Sequence, residues 1–505
     1  MKGLLSAGAA RAWLVVALVG FVIVVLVLAL GLGARLRAGQ DVLDAAKPAL
    51  SDERVAGDRA GVDFISKYVD FADPLMTPRG GGRRELTTLV DLVARRAKLS
   101  RARVAALLRR SAPHAEALLR ALPLSSVTRE IPAFTGYLAT TLNITDEGLA
   151  AELERSFPRL SQALTALPGV TTGWNDIPGI GGLTRFDGDR AVQTVPQLRG
   201  YLARDVVATL ERDKGDLHDL AGRGGIGLIP TLLLVVGAVL LVFGLLQARR
   251  ARDAPPGRPS WAFVMAIGAL LVVLVFALGY FPRLRGADRA ISDLAPAFAA
   301  ERVAGARAGS DMIHQTVLLG DPIATRRGGA PAEIPELLTF VRQRTSLDRA
   351  AVLGALRRRA PHLSALLQAI PLTAAARELP HLLTVLGRRT RLSRPRLIAT
   401  LRKRTPHLAQ SLLALRTVSL RWNQIPGTER LTRFDGVTRV RTMPALDRYL
   451  AEDLVPLFER QRQNFRDLAD PAPKLAVLAP ALLALGVALI VFGLAMTRSL
   501  LTKRW

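Results

Sequence analysis

Three histidines occupy equivalent places in this sequence, because His114, His362 and His407 each directly follow a proline. Imidazole side chains can bind a metal ion or relay protons. No second histidine or carboxylate follows at the spacing of metal ligands, and the fourth equivalent position holds Arg159. We therefore interpret these histidines as tolerated residues in the first turn of a helix, and we predict no metal site and no cofactor.

Motifs for nucleophilic or phosphate chemistry are absent from the sequence. It contains no G-x-S-x-G, Walker A or H-E-x-x-H motif, and it has no cysteine. The glycines of "GIGG" at Gly179 correspond to "GTER" at Gly427, which indicates a loop and not a phosphate-binding turn. We predict that the chain is not an enzyme and that it has no catalytic residues.

One unusual phrase occurs twice, as "WNDIPGIGGLTRFDG" from Trp174 and "WNQIPGTERLTRFDG" from Trp422. The Pro-Gly and Asp-Gly pairs with apolar/polar alternation predict an ordered turn followed by a small β-hairpin. The residues that could form a docking surface or a structural joint are Trp174, Asn175, Arg185, Phe186, Asp187, Trp422, Asn423, Arg433, Phe434 and Asp435. We favour the joint, with Trp174 and Phe186 locking the hairpin to the next helix and Arg185 paired with Asp187 or Glu211.

The phrase belongs to a much longer internal repeat with an offset of 248 residues. From residue 174 to 221, 25 of 48 positions are identical to those 248 residues later, and "ERVAGDRAG" at Glu53 meets "ERVAGARAG" at Glu301. We refer to the two halves as the first and second copy. Because both have the same orientation, we expect a pseudo-two-fold axis along the membrane normal and two outer domains side by side.

A finer repeat of 45 residues within each copy predicts short helical hairpins. "LSRARVAALLRRSAPHAEALLRALP" at Leu99 aligns with a segment that starts at Ile144, and the second copy repeats the pattern from Leu347 and Leu392. The predicted N-caps are Ser100, Thr145, Asp348 and Ser393, and the predicted first-turn prolines are Pro113, Pro158, Pro361 and Pro406. Thr194 with Gln197 predicts a capping box at the start of a further long helix.

Four apolar runs have the length of membrane-spanning helices. We predict a mostly α-helical integral membrane protein, a tandem repeat of spanning helix, large outer helical domain and spanning helix, with a small β-hairpin in each domain. The predicted segments are a tail and first span (1–33), outer domain 1 (34–224), second span (226–247), cytoplasmic loop (248–260), third span (261–281), outer domain 2 (282–474), fourth span (475–496) and cytoplasmic tail (497–505).

Basic residues in the short segments predict the orientation, since cytoplasmic loops are enriched in Lys and Arg. They include Lys2 and Arg11, the loop "QARRARDAPPGRPS", and Arg498, Lys503 and Arg504. We therefore expect a multi-pass plasma-membrane protein with cytoplasmic termini and extracytoplasmic domains. The Arg-, Ala- and Leu-rich, cysteine-free composition resembles that of membrane proteins from high-GC actinobacteria, a resemblance that implies no function.

The predicted spans carry no charge in their central turns, which argues against coupled transport by the chain alone. Instead they carry glycines seven residues apart, on one helix face, where small residues let helices approach closely. These glycines are Gly237 and Gly244 in the second span and Gly486 and Gly493 in the fourth. We favour helix packing over a conduit as their role.

Charge differs between the copies. Residues 34–224 carry a net charge of +3, whereas residues 282–474 carry +16. The basic runs of the second copy include Arg357, Arg358, Arg359, Arg402, Lys403 and Arg404. Two interpretations have equal weight: contact with an anionic lipid or acidic wall polymer, and a merely solvated face. We expect no nucleic-acid partner.

By elimination, the sequence favours a non-enzymatic cell-envelope scaffold, assembly or interaction factor. Its expected partners are membrane lipids and other envelope proteins or further copies of itself. The alternative is an accessory subunit for lipid or glycolipid handling or transport, and a sensor or transporter subunit that needs a cytoplasmic partner ranks lower.

Overall fold

The computed structural model describes residues 2–220, 227–253, 258–345, 347–469 and 474–502, and this part of the chain is mostly helical. The helices of the first copy are α1 (Lys2–Ala29), α2 (Leu32–Ala46), α3 (Asp52–Met76), α4 (Gly82–Ala97), α5 (Arg101–Ser111), α6 (Pro113–Arg120), α7 (Leu124–Leu142), α8 (Asp146–Ser156), α9 (Pro158–Gly173), α10 (Val195–Tyr201), α11 (Ala208–Leu220) and α12 (Leu228–Asp253).

The second copy repeats this series helix by helix, so that each helix corresponds to the one numbered twelve higher. Its helices are α13 (Arg258–Ala277), α14 (Tyr280–Leu294), α15 (Ala300–Ala324), α16 (Ala330–Arg344), α17 (Arg349–Arg359), α18 (Pro361–Ala369), α19 (Leu372–Thr390), α20 (Arg394–Arg404), α21 (Pro406–Arg421), α22 (Met443–Arg448), α23 (Val455–Ala469) and α24 (Leu475–Thr502). Short 3₁₀ turns lie at Pro78–Gly80, Ala295–Phe298 and Arg326–Gly328, and π turns lie at Leu202–Val207 and Tyr449–Leu454.

Four of these helices are long and apolar enough to cross a membrane: Ala10–Ala29, Leu228–Ala251, Pro259–Ala277 and Leu475–Ser499. They coincide with the four apolar runs of the sequence and indicate a multi-pass membrane protein. Among the described residues, all but three of the large exposed hydrophobic side chains lie on or directly beside these helices, as expected for surfaces that face lipid. Of the predicted segments, residue 1, residues 221–224 of outer domain 1, residue 226 of the second span, residues 254–257 of the loop, residues 346 and 470–473 of outer domain 2, and residues 503–505 of the tail lie outside the described residues.

The four helices belong to one compact unit, Met1–Asp52, Thr209–Ala300 and Leu457–Trp505, which we call the span unit. Within it α1 packs along α12 and α13 along α24. The equivalent residues Trp13 and Trp261 stack with ring centroids 3.8 Å apart. The two copies therefore contact each other near the start of the first spanning helix of each copy.

The glycines singled out in the spans lie where these helices touch. A Cβ atom built on Gly244 would lie 2.6 Å from the backbone nitrogen of Ala17, and one built on Gly486 would lie 2.9 Å from the carbonyl oxygen of Gly268. Gly237 faces Val24 and Gly20, and Gly493 faces Met265. A Cβ atom at Gly244 or Gly486 would force the backbones of its helix pair apart, whereas the atoms nearest to Gly237 and Gly493 belong to side chains.

The second compact unit comprises Glu53–Ala208 and Glu301–Pro456, and we call it the core unit. One continuous hydrophobic core runs through both copies. Helix α6 of the first copy packs against α18 and α19 of the second, and α4 packs against α19, α20 and α21. The copies are thus interleaved in this unit, an arrangement that the side-by-side expectation did not include.

The short helical hairpins form with the predicted caps. The side chains of Ser100, Thr145 and Asp348 accept hydrogen bonds from backbone N–H groups three residues on. Ser393 occupies the fourth N-cap without a side-chain bond, and the four prolines lie in the first turns of α6, α9, α18 and α21. The capping box of Thr194 and Gln197 is also present.

The predicted β-hairpins are wrong in one respect, because neither copy forms strands within the described residues. Each retains a single antiparallel bridge, Thr184 with Ala191 and Thr432 with Arg439. Two backbone hydrogen bonds flank each bridge: Arg185 to Arg190 and Val192 to Leu183 in the first copy, and Arg433 to Thr438 and Val440 to Leu431 in the second. The chain still reverses at Gly188 and Gly436, whose positive φ angles of 79° and 73° were expected from the Asp-Gly pairs.

Candidate functional site

The tryptophan of each repeated phrase is an internal anchor. Trp174 is 0% exposed and donates a hydrogen bond of 2.8 Å from its indole Nε1 to Asp73, near the end of α3. Next to it, the side-chain amide of Asn175 donates to the hydroxyl of Thr77 at 2.9 Å. Trp422 and Asn423 repeat both bonds with Asp321 and Thr325. The tryptophans are therefore not available as surface docking residues.

The segments 174–194 and 422–442, which we call the repeat loops, are each held by a partly buried ion pair. Arg185 binds Asp205 through two hydrogen bonds of 2.5 and 2.7 Å, and the carboxylate also accepts the backbone N–H of Phe186. The hydrogen bond to Asp205 raises the pKa of Arg185, so the guanidinium stays charged. Asp205 thus takes the place that sequence analysis had given to Asp187 or Glu211.

The pairing with Asp205 was not predicted, because Asp205 lies in a π turn, Leu202–Val207, for which the sequence has no recognisable pattern. The second loop repeats the arrangement. Arg433 binds Asp453 through hydrogen bonds of 3.0 and 2.8 Å, and Asp453 lies in the π turn Tyr449–Leu454. Arg433 also binds Glu452 at 2.7 Å. Each π turn thus presents a carboxylate to the arginine of its own repeat loop.

Each repeat loop is also bound by an arginine from the other copy. Arg302 on α15 donates to the hydroxyl of Thr184 at 3.1 Å and to the carbonyl oxygen of Arg185 at 2.8 Å. Its guanidinium lies over the ring of Phe186, 5.5 Å from the centroid. The stacking adds a cation–π contact to the two hydrogen bonds.

The equivalent residue Arg54 makes the same contacts in the opposite direction. It donates to Thr432 and to the carbonyl oxygen of Arg433, and its guanidinium lies 5.2 Å from the centroid of Phe434. The exchange therefore occurs twice, once about each repeat loop. One face of each of these two phenylalanine rings is thus covered by an arginine of the other copy.

Glycines on α3 and α15 allow the loops to approach these helices closely. A Cβ atom on Gly57 would lie 2.8 Å from the side chain of Leu431, and one on Gly305 would lie 2.7 Å from that of Leu183. The motif "ERVAGxRAG" therefore supplies one arginine and one close-contact glycine to the loop of the other copy. Its repetition was visible in the sequence, but its partner was not.

One buried carboxyl breaks the symmetry. Asp58 is 8% exposed on α3 and faces Tyr449 of the second copy, whereas the equivalent position on α15 holds Ala306. Burial raises the pKa of Asp58 to about 7, against the opposing effects of the nearby Tyr449 hydroxyl and the charge of Arg54. Burial likewise raises the pKa of the Tyr449 hydroxyl. Asp58 is therefore a buried group that titrates near neutral pH.

The hairpin histidines bind carboxylates of the other copy. The Nδ1 atom of His114 lies 2.6 Å from Glu378, and the same carboxylate accepts the backbone N–H groups of His114 and Ala115. His362 and Glu130 repeat this arrangement with the copies exchanged, and His407 binds Glu85 at 2.7 Å. A carboxylate at a helix N-terminus satisfies N–H groups that have no partner within the helix.

The fourth hairpin, at Pro158, shows that the glutamate cap does not require a histidine. There Glu333 accepts the backbone N–H groups of Arg159 and Leu160 at 3.1 and 2.6 Å, with no imidazole present. The cap is thus a glutamate from the other copy at all four hairpins. Within the described residues no group of three or more His, Cys, Asp or Glu side chains could hold a metal ion.

The basic residues singled out in the second copy are exposed at the ends of two helices. Arg357, Arg358 and Arg359 end α17, and Arg402, Lys403 and Arg404 end α20. Basic side chains in the last turn also complement the helix dipole. Only Arg359 has a described partner of interest, since its guanidinium lies 5.2 Å from the centroid of Tyr137.

A cavity of about 230 Å³ lies within the core unit between helices of the two copies. Its walls are mainly leucines of α4, α5, α6, α19, α20 and α21, and its lining also includes Arg394 and Arg416. Nothing in the sequence distinguishes these residues from ordinary core residues, because leucines at helical spacing normally belong to the core. A shortage of side-chain volume at one place in a core has no signature in sequence.

The fold is that of a mostly helical protein with an internal repeat, and its four long apolar helices indicate a multi-pass membrane protein. No protein-family model, no curated protein and no solved structure matches the chain.

Proposed function

We propose that the chain is a non-enzymatic scaffold of a bacterial cell envelope, anchored by its four apolar helices and presenting the core unit outside the cytoplasm. The exchange of contacts between the two copies carries the proposal. Two arginines and four glutamates each bind the other copy, and one hydrophobic core joins both. Such a unit has the properties of a stiff platform on which other components can assemble.

The exposed surface of the second copy supports contact with an anionic component. In the first copy the positions equivalent to the two basic runs hold Arg109, Arg110 and Ser111, and Glu154, Arg155 and Ser156. There Arg109 lies 3.9 Å from Glu116 and Arg155 lies 3.6 Å from Glu152. The second copy has replaced this balance with six exposed cations, which suits an acidic wall polymer.

The first experiment tests the polyanion contact with the full chain in nanodiscs of uncharged lipid. The probe is soluble poly(glycerol phosphate), and binding is measured over a series of salt concentrations. Replacing the six basic residues with glutamine should weaken binding roughly tenfold and flatten its salt dependence, because surface electrostatics are screened by salt. The matched control replaces Arg109, Arg110 and Arg155 with glutamine and should bind as the wild type does.

Equal weakening by both sets, or no binding by the wild type, would reject the polyanion contact. The scaffold role itself is tested by photo-crosslinkers at Val437, which is 82% exposed on its repeat loop, and at the equivalent Asp189. In native membranes we expect reproducible adducts with an envelope protein or with a second copy. Failure to capture either at both positions would count against a scaffold.

A second candidate is lipid handling, which the cavity in the core unit favours. A sensor or transporter subunit is a weaker proposal, because no contact among the described residues supports it. The cavity carries a more specific inference.

A further inference from the structure

The cavity of about 230 Å³ has mainly apolar walls. Leu89, Leu108 and Leu119 come from the first copy, and Leu382, Leu386 and Leu401 come from the second. A dry apolar cavity of about 150 Å³ is enough to bind benzene in an engineered protein. The space here is larger, so it can hold a length of hydrocarbon chain.

The second copy differs from the first at two positions that line the space, and the difference at Leu382 is the one that provides room. Leu382 corresponds to Phe134, which fills more volume in the first copy and is 4% exposed. Ile398, another lining residue, corresponds to Ala150. The repeat therefore provides an internal reference in which the key wall residue is an aromatic ring.

The surface next to the cavity is apolar only in the second copy. Leu413 lines the cavity and is 39% exposed, and Leu420, two turns further along α21, is 42% exposed. Outside the span helices these are two of the three large exposed hydrophobic side chains among the described residues. Their equivalents in the first copy are Thr165 and Thr172, which are also exposed but polar.

Two cations complete the lining. Arg394 and Arg416 are exposed, and within the described chain neither forms an ion pair or a side-chain hydrogen bond. In the first copy their equivalents are Asp146 and Pro168, so the cations are also specific to the second copy. A guanidinium is well suited to bind a carboxylate or a phosphate through two hydrogen bonds.

We propose that this cavity binds a long-chain carboxylate, with its hydrocarbon chain among the leucines and its carboxylate at Arg394 and Arg416. The volume admits one chain, and the charge of the rim selects an anionic head group over a neutral one. The exposed Leu413 and Leu420 extend the apolar surface beyond the cavity for the remainder of the chain. The proposal does not depend on the scaffold role, since it concerns a different surface.

The test uses the full chain in zwitterionic nanodiscs and the fluorescent fatty acid cis-parinaric acid, with empty nanodiscs subtracted. Its methyl ester is the head-group control. We expect the wild type to bind the acid roughly tenfold more tightly than the ester, the effect of about 1.4 kcal/mol from the head-group contacts. Leu382→Phe, which copies Phe134, should abolish saturable binding of both probes.

Arg394→Asp, which copies Asp146, should weaken binding of the acid roughly tenfold or more and leave the ester unchanged. Because this residue is on the surface, the variant should keep the wild-type unfolding temperature, and it keeps the test valid if Leu382→Phe proves unstable. Arg357→Asp has the same charge change away from the cavity and should bind both probes as the wild type does.

Equal affinity for acid and ester, or no effect of either cavity variant, would overturn the proposal. Binding that requires a two-chain anionic phospholipid in the nanodisc would overturn it too. None of these outcomes bears on the poly(glycerol phosphate) and crosslinking experiments, so the two proposals fail separately.

Discussion

Arg54 donates a hydrogen bond of 2.9 Å to the carbonyl oxygen of Arg433, which lies in the other copy of the repeat. The equivalent pair, Arg302 and Arg185, has a bond of 2.8 Å. A single repeat unit would leave both the arginine and the loop without this contact. The duplication is therefore part of the fold, since each copy completes the other.

Removing either arginine should destabilise the core unit. Arg54→Ala leaves a carbonyl and a hydroxyl without their donor, which costs about 1 to 3 kcal/mol for buried groups. Arg302→Ala should cost less, because Arg54 is 9% exposed and Arg302 is only half-buried. Thermal unfolding of the solubilised full chain measures both losses.

The control for this comparison is Arg357→Ala, an exposed arginine whose loss should change stability by no more than about 0.5 kcal/mol. If all three variants unfold at the same temperature as the wild type, the exchange of arginines contributes nothing to stability.

The glutamate caps should be as important without a histidine as with one. Glu130→Ala removes the carboxylate from two backbone N–H groups and from His362, and Glu333→Ala removes it from two N–H groups beside Arg159. Each should cost about 1 kcal/mol, the usual value for a lost N-terminal cap. His362→Gln should cost less than Glu130→Ala, as chemical denaturation can show. A much larger loss in Glu130→Ala than in Glu333→Ala would instead make the imidazole the main contributor.

Asp58 should make stability depend on pH. Its pKa is raised to about 7 in the folded protein from an ordinary value of 3.8, so the folded state binds the extra proton between these values. Stability from this group is therefore complete below pH 3.8 and is lost as the pH rises through 7. Above that pH Asp58→Asn should be more stable than the wild type, by an amount on the order of 1.4 kcal/mol per unit of pKa shift.

Melting curves from pH 4 to pH 8 test this, because the difference between Asp58→Asn and the wild type should grow with pH. Asp63→Asn, an exposed carboxyl on the same helix, is the control and should show no such growth. A constant difference for Asp58→Asn would mean that the folded and unfolded states bind the same number of protons at this carboxyl, and its pKa would then not be raised by folding.

The sequence predicts those features that depend on neighbouring residues. The four apolar helices, the caps of Ser100, Thr145 and Asp348, and the capping box of Thr194 follow from local patterns and are present. The contacts of Arg54 and Glu130 could not be predicted, because each partner lies more than 200 residues away. A repeat shows which positions are equivalent, but it does not show whether a residue contacts its own copy or the other one.

The same limit applies to the repeat loops. The repeated Trp, Arg and Phe were compatible with either a docking surface or a joint. In the structure Trp174 is buried and Arg185 binds Asp205, so both residues make contacts inside the protein. The π turn that supplies Asp205 has no sequence signal. The predicted extent of strand pairing was too large, because side-chain and helix contacts also hold the loop and only one β bridge forms in each copy.

Membrane topology can be tested with single cysteines, since the chain has none of its own. Ser126 and Thr373 are unsuitable positions, being 6% and 9% exposed. Val437 is 82% exposed, and its equivalent Asp189 is also exposed. A maleimide that cannot cross membranes should label Val437→Cys and Asp189→Cys in whole cells. It should label Ser260→Cys only after permeabilisation, because the arginine-rich loop predicts a cytoplasmic position for that segment. Labelling of Ser260→Cys alone in whole cells would invert the topology, and the core unit would then face the cytoplasm, where no wall polymer is within its reach.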